Sequence, residues 1–157
     1  MTDTNLAQNT LNQPFATSEK IASERGQNNF LNQVNQEINR AIESNTDGVL
    51  KEMTFTHFKV SGKMLRPLFI KDLSKALGKN AELVVKWAAT CELLHNATLV
   101  HDDLQDGDEV RRGAPTLWKI YGPKQAINIG DFLLIIAPQP VIKSSYPNKD
   151  LLLELFV

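Results

Sequence analysis

The chain has 157 residues, 42% of them hydrophobic and 22% charged, which fits one compact unit of about 150 residues with a core of its own. Lys and Arg number 17 and Asp and Glu 18, a net charge of −1. General attraction to nucleic acid or to an anionic membrane is therefore excluded, and any basic recognition must be local. Cys91 is the single cysteine, which rules out an intrachain disulfide and a multi-cysteine zinc site and fits a reducing compartment.

The first residues, MTDTNLAQNTLNQPF, show no basic start followed by an apolar stretch, and no apolar run approaches the ~18 residues that span a bilayer. The expectation is a soluble, cytoplasmic protein without a membrane span. Residues 1–18, rich in Asn, Gln, Thr and Ser, are predicted to be a disordered tail ahead of one helical domain, 19–157. From Phe30, apolar side chains at Leu31, Val34, Ile38, Ala41 and Ile42 recur every three to four residues, which predicts an amphipathic helix. Val49, Leu50, Met53 and Phe58 predict a second, ending near Ser61 and Gly62. Pro67 suits the first turn of a third helix, and Gly78 suits its C-terminal cap.

The longest predicted helix runs from about Asn80 to about Asp106 without an internal Gly or Pro. At about 100° per residue, Val84, Ala88, Cys91, His95, Thr98, Asp102 and Asp106 fall near one line, with Ala89, Leu93, Ala97, Val100 and Leu104 opposite. Both faces are largely apolar or small, so this helix is expected to be enclosed by others, with its polar column shielded from bulk water. A loop carrying Arg111, Arg112 and Gly113 comes next, then a short helical segment around Trp118 and Tyr121. A helix from about Lys124 to Ala137 is expected after it, with a break at Pro138 and Pro140. No sustained alternation or hairpin signal is present, so the predicted class is all-α. The apolar terminal LLLELFV has no polar stop, and further chain or a partner is expected to cover it.

Asp102, Asp103, Asp106, Asp108 and Glu109 crowd the C-terminal end of the long helix. The helix dipole disfavours acids there by about 0.3 to 1 kcal/mol each, and the i, i+4 pair Asp102/Asp106 adds a repulsion of roughly 0.2 to 0.5 kcal/mol. A shared divalent cation offsets both, and all-oxygen ligation favours magnesium or manganese over zinc. An EF-hand fits poorly, with Leu104 at its third position and Gly113 where its final Glu belongs. A zinc site of Cys91, His95 and His101 is disfavoured because His101 points about 100° away from the other two, and core packing is the plainer role for Cys91. Lys63 and Arg66 precede or begin a helix, where an anion is already favoured, and Arg111 and Arg112 lie just beyond the acidic run. Met64 excludes a Walker loop, which needs Ser or Thr there. Acids beside two basic clusters describe a site for more than one polyphosphate, attached to an apolar remainder.

The segments SGKMLRP, ELLHNATLVHDDLQD and RRGAPTLWKIYGPKQAINIGD, in this order and spacing, resemble the trans-isoprenyl diphosphate synthases, over roughly Val49 to Ala137. The resemblance implies about half of the all-α isoprenoid synthase bundle. It also implies condensation of isopentenyl diphosphate with an allylic diphosphate. Asp102, Asp103 and Asp106 match the first aspartate-rich motif, which holds magnesium (or manganese) on the allylic diphosphate, with Asp102 and Asp106 the principal ligands. Arg111 matches an arginine on that diphosphate. Lys63, Arg66, His95 and Arg112 match the isopentenyl diphosphate site. Ala97 and Thr98 match positions that limit product length, and both are small, which implies geranylgeranyl length or longer. The family's GGKR reads Ser61-Gly62-Lys63-Met64 here. Family members are longer, with a second aspartate-rich motif and a later lysine downstream, which Asp150 and Glu154 do not replace. Besides a synthase, the sequence admits a non-catalytic diphosphate-binding subunit, and a homodimer that pairs two half-size chains across a twofold axis.

Overall fold

The computed structural model describes residues 18–60, 62–79, 84–146 and 148–155. Residues 1–17, which hold nearly all of the expected disordered tail, and the expected helix start at Asn80 lie outside them. The described residues form α1 (Ser18–Glu43), α2 (Gly48–Phe58), α3 (Leu65–Ala76), α4 (Val85–Asp106), α5 (Leu117–Tyr121), α6 (Pro123–Ile136), α7 (Gln139–Ile142) and α8 (Lys149–Glu154). Between α4 and α5 sit two antiparallel two-residue strands, β1 (Val110–Arg111) and β2 (Ala114–Pro115). The fold is all-α, and the loop expected after α4 is this small hairpin.

The core forms around α4, against which α1, α3, α6 and α7 pack. Phe30, Val34, Ile38 and Ile42 of α1 are buried, as their spacing predicts, with Ala89, Leu93, Ala97 and Val100 of α4 and Ala126, Ile129 and Leu133 of α6. Ser18 already belongs to α1, well before the first periodic residue. Its first turns are polar, with Glu, Lys, Arg and Gln supplying helix propensity in place of an apolar stripe.

Three expectations need correction or refinement. Thr98, Asp102 and Asp106 are exposed, so the polar column is not shielded along its C-terminal half; among the described residues the neighbours of α4 pack chiefly on its Ala89/Leu93/Ala97/Val100 side. The break expected at Pro138 and Pro140 is a single turn: α6 ends at Ile136, residues 137 and 138 turn, and α7 begins at Gln139. Pro140 falls in the first turn of α7, where a proline needs no N–H partner, and helical structure resumes. Consequently Pro123–Ile142, 20 residues of mean hydropathy 1.3 and 44% buried, has the length and composition to cross a membrane. Its buried stripe, Ala126, Ile129, Gly130, Leu133 and Ile136, packs in the core beside α4.

Candidate active site

The acidic end of α4 is fixed by its C-terminal cap and by the hairpin beyond it. Gly107, at φ 71°, closes the helix in the left-handed conformation, and the Asp108 N–H donates to the Asp103 carbonyl at 2.9 Å. The Asp108 carbonyl accepts from Thr116 Oγ1 and from Trp118 Nε1, both at 2.8 Å, which ties the hairpin back onto the helix. The hairpin turn places Arg112 at φ 54° and Gly113 at φ 81°, the two positive values that a tight two-residue turn demands.

That turn sends its arginines to different sites. Arg111 Nε donates to Asp103 Oδ1 at 2.5 Å, and the Asp103 side chain is 4% exposed. Burial raises the Asp103 carboxyl against the opposing pull of Arg111. Asp102 and Asp106 share one exposed face a turn apart, and among the described residues neither has an ion-pair partner. Arg112 Nη1 donates to the Val60 carbonyl at 3.3 Å. Its guanidinium lies over Gly62, where a Cβ would push the arginine aside, so the glycine leaves room for this placement of Arg112.

Lys63, Met64, Leu65, Arg66, Glu92, His95 and Arg112 line a cavity of about 250 Å3. A neighbouring hollow of about 510 Å3, lined by Leu65, Arg66, Phe69, Ile70 and Cys91, is largely apolar. A small pocket of about 30 Å3, lined by His57, Asp103, Arg111 and Arg112 among others, joins the acidic end to the basic side. His95 stands seven residues before Asp102 on α4, about 10 Å along the axis. Burial, then Arg66 and Arg112, lower the His95 pKa, so the cationic character of the cavity rests on Lys63, Arg66 and Arg112. A separate hollow of about 490 Å3 opens at the opposite end of α4. Its cations are already engaged there: Arg40 by Glu37 at 2.5 Å, Lys86 by the Lys143 carbonyl at 3.2 Å, and Lys143 by Ser44 Oγ at 2.9 Å.

Beneath the basic cavity runs a buried chain that sequence spacing did not reveal. Asn96 Nδ2 donates to the Glu92 carbonyl at 2.8 Å and to Glu92 Oε1 at 3.2 Å. Asn96 Oδ1 is therefore the acceptor for His57 Nε2 at 2.9 Å, which fixes a proton on that nitrogen. Burial drives the His57 pKa down to about 4 and raises that of Glu92. Burial also raises Cys91 to about 11, the behaviour of an inert thiol.

The structure thus brings Lys63, Arg66, His95 and Arg112 together, and Asp103 with Arg111. Ala97 is fully buried in the helix core, so its small size serves packing, whereas Thr98 is exposed on the Asp102 face with Oγ1 donating to the His95 carbonyl at 2.8 Å. Among the described residues no three His, Cys, Asp or Glu side chains gather closely enough to hold a metal ion unaided. Asp102 and Asp106 still fit magnesium as a donor set: two free carboxylates suit an ion that keeps several waters and draws further ligands from phosphate.

Residues 47–156 match the family model described as polyprenyl synthetase. The chain belongs to the polyprenyl synthetase family. It is 43% identical over 106 residues to a geranylgeranyl diphosphate synthase of Saccharolobus solfataricus, an alignment covering 68% of this chain and 32% of the relative. Farnesyl diphosphate synthases are also among the matched relatives. The fold superposes on geranylgeranyl pyrophosphate synthetase from Pyrococcus horikoshii with a TM-score of 0.74 and 33% identity, covering 80% of this chain and 39% of that one. It also matches a polyprenyl synthase from Caulobacter crescentus, solved with calcium and isoprenyl diphosphate, at a TM-score of 0.72 and 28% identity, covering 84% of this chain and 40% of that one. The chain therefore spans about a third of the curated relative and about two fifths of these solved relatives.

Proposed function

We propose that this chain carries the first aspartate-rich side of a trans-isoprenyl diphosphate synthase site. It would bind isopentenyl diphosphate in the basic cavity and an allylic diphosphate at the end of α4. The observation that carries this reading is the cavity shared by Lys63, Arg66, His95 and Arg112, with His95 about two turns before Asp102 and about three before Asp106 on α4. Neither aspartate has an ion-pair partner among the described residues. Cations on one side and free carboxylates on the other suit two diphosphates held by different means, one by guanidinium and ammonium groups and one by carboxylates through a divalent ion.

In the reaction, the allylic carbon–oxygen bond breaks and its electron pair leaves with diphosphate. The isopentenyl double bond forms the new carbon–carbon bond, and a proton is lost. Asp102 and Asp106 would hold magnesium, which when bound would supply charge neutralisation for the leaving diphosphate. Arg111, fixed by Asp103, directs its remaining N–H groups toward that diphosphate, and the apolar hollow beside Arg66 receives hydrocarbon and excludes water. The Caulobacter crescentus relative was solved with calcium and isoprenyl diphosphate, which supports pairing a divalent cation with a prenyl diphosphate.

The finer proposals are a product of geranylgeranyl length or longer, from the small Thr98 on the Asp102 face; a homodimer; and a cytoplasmic location, suited to the lone Cys91. A second reading, a non-catalytic diphosphate-binding subunit, uses the same basic cavity without turnover. Incorporation of radiolabelled isopentenyl diphosphate into an allylic primer, with the mass of each oligomer measured on the same sample, separates the two. Turnover by an oligomer of the intact chain supports the synthase. Tight diphosphate binding without turnover supports the subunit, and no diphosphate binding refutes both.

A further inference from the structure

Glu92 is 6% exposed, and only one of its carboxylate oxygens has a donor. Oε1 accepts from Asn96, while Oε2 is buried without any hydrogen-bond partner, although the residue lines the basic cavity. A buried acceptor left without a donor is unfavourable, so a donor from the cavity is the expected complement. Arg112 is committed, its guanidinium lying over Gly62 and bonding to Val60. Arg66 lines the same cavity, is exposed, and has no hydrogen bond or ion pair among the described residues. A guanidinium offers five N–H groups in a flat fork, enough to grip phosphate oxygens on one edge and a carboxylate on the other.

We propose that Glu92 is a positioning residue of the basic cavity: when a diphosphate enters, Arg66 folds inward and bridges its phosphate to Glu92 Oε2. The proposal rests on the reading of this cavity as a diphosphate site. Asn96 and His57 hold Glu92 from behind, so the bridge forms against a fixed carboxylate. Arg66 is also the first of the two cations that favour ionised Glu92 against its burial.

The two roles open to Glu92 have opposite signs. A carboxylate that is merely near an anion site weakens anion binding, so Glu92→Gln would tighten it. A carboxylate that aims an arginine strengthens binding, so Glu92→Gln weakens it. Inorganic pyrophosphate is titrated calorimetrically into the intact chain in EDTA, for wild type, Glu92→Gln, Arg66→Ala, Arg66→Lys and the double variants, with melting midpoints recorded alongside. The expected result is a loss of about tenfold in affinity for Glu92→Gln. That loss disappears in the Arg66→Ala and Arg66→Lys backgrounds, because lysine keeps the charge but not the fork. Unchanged or tighter binding by Glu92→Gln overturns the proposal, as does a loss that persists without Arg66. Pyrophosphate bound by wild type and lost in Lys63→Ala, with Glu92→Gln unaffected, sinks this proposal and leaves the diphosphate site standing. No binding by wild type overturns both.

Discussion

Lowering the pH from 7 to 4 should remove about 3 kcal/mol of stability through His57 alone. The unfolded imidazole titrates near 6.5, whereas burial and the cationic surroundings hold the folded one down to about 4, against the bond to Asn96. The unfolded chain therefore binds a proton that the folded chain refuses. The contribution is complete above pH 6.5 and is lost as pH falls toward 4; a gap of about 2.5 units at about 1.36 kcal/mol each gives the magnitude. Glu92 and Asp103 act with the opposite sign. Their raised folded pKa values give stability that is present at low pH and lost as pH rises through them. The raw pH profile mixes all three, so the quantity to measure is the difference between wild type and His57→Gln. The glutamine amide can still donate to Asn96 but does not titrate. Urea denaturation followed by circular dichroism at several pH values between 4 and 7 should show the advantage of wild type shrinking by about 3 kcal/mol toward pH 4. A difference that stays constant across that range would refute the burial of a neutral His57.

Arg111→Ala should destabilise the chain by about 3 to 5 kcal/mol in chemical denaturation, because it leaves the buried Asp103 carboxylate unpaired; Asp103→Asn should relieve most of that loss when combined with it. Gly62→Ala should weaken pyrophosphate binding in EDTA by roughly tenfold at an almost unchanged melting midpoint, because a Cβ there displaces the Arg112 guanidinium. Asp106→Asn should stabilise the metal-free chain by a few tenths to about 1 kcal/mol, since it removes an acid from the wrong end of a helix dipole and a repulsion with Asp102.

Much of the fold was legible from the residues. Phe30, Val34, Ile38 and Ile42 named the buried stripe of α1 because helical periodicity is a local property. The acidic cluster stood out because it contradicts what helix stability favours, and on that ground it is proposed as the metal-holding end of the site. The order of the lysine, arginine and aspartate motifs pointed to a family, and a match over residues 47–156 bears it out. The features that stayed hidden depend on contacts between segments. Nothing local told that Asp103, among three similar aspartates, turns inward to Arg111, or that Arg112 reaches back to Gly62. The Glu92–Asn96–His57 chain joins α4 to α2 across 39 positions, beyond any spacing rule. Ala97 looked like a pocket residue because small side chains serve both pockets and close helix packing, and only burial separates the two roles. The resumption of helix at Gln139 was missed because Pro140 read as a breaker, although it stands in a first turn.

Capture of an allylic diphosphate through magnesium on Asp102 and Asp106 is open to calorimetric titration of that diphosphate into the intact chain, with and without magnesium, for wild type and Asp102→Ala. The expected result is a magnesium-dependent gain in affinity that Asp102→Ala abolishes, with metal-free binding left intact. Equal affinity with and without magnesium, or a gain that survives Asp102→Ala, would contradict the assignment.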